Sequence, residues 1–157
     1  MIGWARRWLA RRCDRLAPRT FSLRDAAGEE LDKDAIGRLG EEIACRWLWL
    51  EGGCKILYRN FRAGEGGEVD IVCRHVDTLV FVEVKTRTSE AFGRPALAVG
   101  KEKQALIVRG AREWMRLLGW PPILFRFDIV EVLLSDGASA EVRWLQAAFE
   151  LPTWERW

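Results

Sequence analysis

The chain reads as a mixed α/β protein of the α+β kind, with helices covering a small central mixed sheet. Three observations predict this. Two stretches, about Asp34–Leu50 and Lys101–Leu118, carry apolar residues at helical spacing. Five short runs rich in β-branched and aromatic residues have the character of strands: Lys55–Phe61, Val69–Arg74, Leu79–Lys85, Phe125–Leu133 and Glu141–Ala147. Gly52-Gly53, Gly66-Gly67, Pro121-Pro122 and Ser135-Asp136-Gly137 punctuate the boundaries. The predicted order is α-β-β-β-α-β-β, with no internal repeat.

At 157 residues the chain suits one domain with a sizeable core. No apolar run approaches the ~20 residues that span a bilayer, and a cytoplasmic setting is expected. The cysteines, Cys13, Cys45, Cys54 and Cys73, show no Cys-x-x-Cys and no paired spacing, which argues against zinc and against a disulfide framework. The single histidine, His75, excludes mechanisms built on two histidines and is assigned a structural or solvent role. The net charge of +2 conceals an asymmetry: residues 1–24 hold seven arginines and one acid, and the remainder 18 basic and 22 acidic groups. The main domain is therefore not basic, and its net charge gives no ground for strong non-specific nucleic-acid binding.

Residues 1–33 are expected to form a basic helix over about 2–16, ended by Pro18, and then a linker. Arginines interrupt every apolar stretch there, so it is not a secretory signal. An arm for phosphates or an anionic membrane surface, a peripheral helix packed on the domain, and a disordered tail all fit it. Residues 34–148 form the main domain and 149–157 a C-terminal tail. In its first helix Asp34 is the expected N-cap, and Ile36, Leu39, Ile43, Trp47 and Leu50 share a stripe. Gly37 and Gly40 each cost ~1 kcal/mol relative to alanine in a helix, which suits a place where another backbone or a ligand comes close. Glu41 beside them either reaches a site at the sheet edge or is an ordinary solvated glutamate. A loop over 86–100 offers Thr86, Arg87, Thr88, Ser89 and Arg94 as phosphate hydrogen-bonders. The second helix presents Gln104, Val108, Ala111 and Met115 on one face and Ile107, Gly110, Trp114 and Leu117 on the next. Nine tryptophans are many for this length. Trp47 and Trp114 suit a core or interface, and Trp144, Trp154 and Trp157 suit packing, base stacking or an oligomer contact.

The segment with the most chemistry is 68–87. Val69–Arg74 and Leu79–Lys85 predict two antiparallel strands joined by a loop of about four residues, His75–Thr78. Pairing Arg74 with Leu79 puts Val72 opposite Phe81 and Asp70 opposite Glu83. Lys85 then shares a face with Glu83, while Val80, Val82 and Val84 take the other. Two facing carboxylates destabilise a sheet unless one stays protonated or a cation lies between them. An oxygen-only pair suits Mg²⁺ or Mn²⁺ better than zinc. The competing reading is an amphipathic hairpin whose Glu–Lys pair faces water.

Gly37-Arg-Leu-Gly-Glu41, Arg59-Asn60, Gly67-Glu-Val-Asp70, Phe81-Val-Glu-Val-Lys-Thr-Arg87, Phe92-Gly93, Lys101 and Arg126-Phe-Asp-Ile-Val130, in unbroken order over about 35–148, resemble the bacterial YraN family. Through it the chain resembles the PD-(D/E)XK nuclease superfamily and the archaeal-type Holliday junction resolvases. That resemblance implies a restriction-endonuclease-like core. It implies metal-binding carboxylates at Asp70 and Glu83, a catalytic lysine at Lys85, and Glu41 completing the metal site. It also implies a polar helix position at Gln104. Val69 stands where many members carry proline.

The expected function is then a Mg²⁺- or Mn²⁺-dependent endonuclease hydrolysing DNA phosphodiesters, on branched or damaged structures. Arg59, Asn60, Arg62, Thr86, Arg87, Arg94, Lys101 and Gln104 are the expected nucleic-acid contacts. Alternatives are a non-cleaving nucleic-acid-binding or assembly module on the same fold and an RNA-processing nuclease. Nucleic acid, DNA first, is the expected partner, with a homodimer as one way to cut both strands.

Overall fold

A computed structural model describes residues 8–12 (backbone only), 20–64, 66–88 and 99–152. Its elements are β1 (Trp8–Arg12), α1 (Lys33–Leu50), β2 (Cys54–Arg62), β3 (Glu68–His75), β4 (Thr78–Arg87), α2 (Lys101–Leu117), β5 (Leu124–Leu133) and β6 (Glu141–Phe149). The strands form one mixed sheet in the order β1-β6-β5-β4-β3-β2. Only β4 and β5 run parallel, and α2 makes the crossover between them. Among the described residues no helix is long and apolar enough to cross a membrane.

Strand alternation sorts the core into two layers. Val80, Val82 and Val84 of β4 and Val130 and Val132 of β5 pack with Ile43, Ala44, Trp47 and Leu48 of α1. Leu79 and Phe81 of β4 and Phe127 and Ile129 of β5 pack with Ile107, Val108, Ala111 and Met115 of α2. One helix therefore covers each face, and the odd-numbered residues of β4 look toward α2.

The hairpin has the predicted pairs Arg74↔Leu79 and Val72↔Phe81, with a tighter turn: His75 pairs Thr78, leaving Val76-Asp77 as the loop. The N-cap of α1 lies two residues before the predicted one. Asp32, not Asp34, accepts the Ala35 N–H at 2.7 Å, and Asp34 sits in the first turn, where its charge suits the helix dipole. Leu50, expected in the apolar stripe, is 47 % exposed, and Leu48 is buried instead. The strand β4 runs on to Arg87, so Thr86 and Arg87 belong to the sheet rather than to a loop.

The predicted helix over 2–16 is overturned where the structure describes it. Residues 8–12 are extended and pair antiparallel with β6, from Trp8↔Leu145 to Arg12↔Glu141. An isolated helix of that length is marginal, whereas the outer edge of β6 offers a row of unpaired N–H and C=O groups. The linker assignment for 17–33 also fails in part. Phe21 and Leu23 pack against the α1-side core, and the Leu23 N–H donates to Asp136 Oδ1 at 2.8 Å.

The outer strands are fastened by a buried carboxylate. The β5–β6 register slips between Phe127↔Phe149 and Ile129↔Leu145, leaving extra residues on β6. Asp128, fully buried, fills that gap. It accepts from the Ala147 N–H at 2.9 Å, Trp144 Nε1 at 2.8 Å and Arg126 Nε at 2.9 Å. Arg126 also meets His75 Nδ1 at 3.1 Å and lies over the Trp144 ring. Trp144 is thus a core residue rather than a base-stacking one, and His75 has the structural place expected of it. Trp154 and Trp157 lie outside the described residues.

A glycine sets the close approach of α1 to the sheet. A Cβ on Gly40 of α1 would lie 1.8 Å from Thr86 Oγ1 and 2.7 Å from Thr86 Cβ, so α1 rests directly on the end of β4. A Cβ on Gly37 would meet nothing within 4 Å. The two glycines, equal by propensity, should part on mutation. Gly37→Ala is expected to raise unfolding stability by about 0.5–1 kcal/mol. Gly40→Ala is expected to lower it by about 1–3 kcal/mol through overpacking, read by urea denaturation.

Candidate active site

The β3–β4 ladder ends at Ile71↔Val82, and beyond it Asp70 takes over with its side chain: Oδ2 accepts the Val84 N–H at 2.7 Å. Glu83, two residues beyond Phe81 on the α2 side of β4, is only 2 % exposed. Lys85 Nζ stands 3.0 Å from Glu83 Oε1. Asp70, Glu83 and Lys85 therefore converge, as the alternation predicted.

The helix α2 brings a fourth charge, Lys103, and Glu68 at the start of β3 joins it as a fifth. The helix lies against the start of β3 by backbone contact, since a Cβ on Gly67 would fall 2.4 Å from the Gly110 nitrogen. Two turns before Gly110, Lys103 hydrogen-bonds Glu68 Oε1, and its Nζ lies 3.3 Å from Glu83 Oε2. That approach lacks hydrogen-bond geometry, and Glu83 Oε2 remains a buried acceptor with no hydrogen bond. Sequence reading passed over Lys103 and Glu68. The signal was present: extending the Ile107-Gly110-Trp114 face back one turn lands on Lys103, and Glu68 shares the face of Asp70 by alternation.

Electrostatics show how crowded the cluster is. Burial, and then the charge of Glu83, push the Asp70 carboxyl up to about 7, with a smaller push from Glu41 and opposing pulls from the Val84 N–H and Lys103. The Lys103 hydrogen bond holds Glu68 below the usual carboxylate range. Burial works against the Lys103 ammonium, but the Glu68 hydrogen bond and the charges of Glu83 and Asp70 outweigh it and raise its pKa.

Glu41, half-buried on α1, joins through its charge on Asp70. Among the described residues no three His, Cys, Asp or Glu side chains form a ready-made metal cage. The donor set still fits a hard divalent cation. Mg²⁺ commonly takes one or two protein carboxylates and keeps several waters. Asp70 and Glu83 supply that pair, one whose ionisation is opposed by burial and by its neighbour and the other with an unpaired buried oxygen.

The expected nucleic-acid contacts divide. Arg87 lies on the α2 side, with Nε 3.1 Å from Glu131 Oε1. Arg62, largely exposed, pairs with Glu68 at 3.5 Å, and Lys101 is exposed at the start of α2. Thr86 is turned away, under Gly40 on the α1 side. Arg59 also belongs to that side, since it pairs with Ile71 and its charge acts on Cys45 of α1. Asn60 is exposed on β2 with φ +53°. Gln104 is engaged structurally, its Nε2 donating to the Val99 carbonyl at 2.8 Å. Arg94 lies outside the described residues.

The model of "Uncharacterised protein family UPF0102" matches residues 40–132, from Gly40 to the end of the buried part of β5. The chain belongs to the UPF0102 family. It is 44 % identical over 118 residues to a UPF0102 protein of Trichlorobacter lovleyi, covering 74 % of this chain and 91 % of the relative. A UPF0102 protein of Anaeromyxobacter dehalogenans is 43 % identical over 125 residues, covering 80 % and 91 %. One from Beutenbergia cavernae is 45 % identical over 114 residues, covering 73 % and 95 %. The span matched by the UPF0102 model contains Glu41, Glu68, Asp70, Glu83, Lys85 and Lys103.

Without metal, the folded chain keeps the Asp70 proton up to about pH 7, whereas the unfolded carboxyl loses it near its ordinary 3.8. The folded state binds more protons across that window, so Asp70 makes stability fall as pH rises from about 4 to about 7. Asp70→Asn, which keeps an acceptor for Val84, is expected to flatten that slope. In chelator at pH 8 the variant should be more stable than the parent by about 2–4 kcal/mol, and near parity at pH 4, in urea denaturation.

Proposed function

We propose that the chain is a metal-dependent endonuclease of the PD-(D/E)XK type, with a restriction-endonuclease-like core, acting on DNA phosphodiesters. The observation that carries this reading is the buried Glu83, with an unpaired oxygen, beside an Asp70 that resists ionisation and a Lys85 that touches both the site and solvent. A solvated edge hairpin would leave these groups in water. A protein that only bound phosphate would gain nothing from two facing carboxylates. The layout supports the same reading: an Asp on one central strand, Glu-x-Lys on the next, and a helix on each face of a mixed sheet.

Held by Asp70 and Glu83, with Glu41 alongside, a Mg²⁺ or Mn²⁺ ion would supply Lewis acidity and a more acidic bound water. The residues do the rest. The Val84 N–H fixes Asp70 Oδ2, so the carboxylate is oriented before anything binds. Lys85, anchored 3.0 Å from Glu83 Oε1, holds its ammonium ready for the charge that grows on the phosphoryl oxygens. Lys103 serves as the resident counter-charge of Glu83, and its bond to Glu68 would keep it paired if Asp70 and Glu83 held a divalent cation.

The test is cleavage of labelled linear, flapped and four-way DNA, with an RNA arm, in Mg²⁺ or Mn²⁺. Lys85→Ala is expected to lower the rate by about 10²–10³-fold, the usual cost of losing one preorganised electrostatic group. Glu83→Gln is expected to abolish it. Cleavage undiminished in Lys85→Ala would exclude this mechanism, and stable binding without cleavage in either metal would favour a non-cleaving module.

A further inference from the structure

Beyond Lys85 the α2 side of the sheet carries a second charged group that the hydrolytic roles above do not use. Glu131 of β5 lies opposite Lys85 in the parallel register, and Arg143 of β6 lies opposite Glu131. Arg87 is the next residue on the same face of β4. Glu131 is 5 % exposed. Arg87 Nε stands 3.1 Å from Glu131 Oε1 and Arg143 Nη1 3.7 Å from Oε2, with the two arginine side chains 27 % and 37 % exposed.

Two features make this more than a structural ion pair. A buried acid between two bases is weak evidence for stability, because apolar residues of similar volume commonly serve as well or better. The geometry, moreover, does not use up the guanidinium groups. Glu131 Oε1 is a buried acceptor with no hydrogen bond, and among the described residues neither arginine side chain donates one. Glu131 is thus a buried negative charge beside two guanidinium forks whose N–H groups it does not engage. Two cations on one anion leave a local charge of +1, next to Lys85.

We propose that Arg87 and Arg143, positioned by Glu131, form a clamp for a backbone phosphate of the nucleic-acid strand away from the scissile group. This rests on the nuclease reading. Arg87 is one same-face step from Lys85, roughly 6.6 Å along the strand, and Arg143 is two strands over, roughly 9.6 Å across the sheet. Those offsets exceed the axial rise of about 3.4 Å per phosphate of one strand, which places the clamp beyond the scissile phosphate. Arginine forks suit phosphate oxygens geometrically as well as by charge.

The experiment is fluorescence anisotropy of the full chain with a labelled DNA duplex across a salt series in chelator, beside the cleavage assay in Mg²⁺. Arg87→Gln and Arg143→Gln are each expected to weaken binding 5- to 20-fold at low salt and to reduce the salt slope by about 1. Arg143→Lys should fall between parent and Arg143→Gln. Arg74→Gln, at the hairpin tip, should change affinity less than twofold. Glu131→Gln is the sharpest arm. A mere positive patch would bind more tightly once its acid is neutralised, whereas a positioned clamp binds more weakly. Melting temperatures confirm that each variant is folded. Affinity unchanged in both arginine variants, or raised in Glu131→Gln, while the parent chain still binds and cuts, overturns the clamp alone. A parent chain that neither binds nor cuts DNA overturns the nuclease reading beneath it.

Discussion

The structure is organised around an unfavourable charge pair: Asp70 and Glu83, two carboxylates on adjacent strands, repel each other where water hardly reaches Glu83. Folding alone gives no reason to keep such a pair. The surrounding parts make sense as means of tolerating it. Asp70 takes the Val84 N–H. Lys85 and Lys103 bracket Glu83 from its own strand and from α2. The residual cost is a proton kept on Asp70 near neutrality. A divalent cation held by Asp70 and Glu83 would offset their repulsion.

The rest of the fold fixes this cluster in place. Gly40 lets α1 descend onto Thr86 and so brings Glu41 near the end of β4. The Gly67–Gly110 contact does the same for α2 and puts Lys103 over Glu68 and Glu83. On the far side, Asp128 ties β6 to β5 through the Ala147 N–H and Trp144. That link keeps Arg143 in register with Glu131, so the structural carboxylate at Asp128 and the charged row across the sheet belong to one construction.

Sequence reading reached the hairpin and its charged face because strand alternation with one buried side leaves little freedom in register. It missed where partners are remote. Nothing in residues 8–12 announces β6 as a neighbour, so local amphipathicity suggested a helix. Other misses came from stopping short. Ending β4 at Lys85 left Thr86 and Arg87 in one loop, although continuing the alternation would have sent Thr86 behind the sheet with Val84 and kept Arg87 with Lys85. On α2, Gln104 drew attention for its resemblance to a family position, whereas helical phase points Lys103 at the carboxylates. Glu131 was unreadable as a buried charge, because a lone acid in a valine-rich strand is equally suited to an exposed face.

A divalent cation that relieves the Asp70–Glu83 repulsion would displace the Asp70 proton. Calorimetric titration of the chain with Mn²⁺ at pH 6 and pH 8, in buffers of different ionisation enthalpy, measures that displacement. Since Asp70 holds its proton up to about pH 7, binding at pH 6 should release about one proton per ion, and binding at pH 8 almost none. Asp70→Asn should remove the release. Absence of Mn²⁺ binding, or binding at pH 6 with no proton released, would contradict the account.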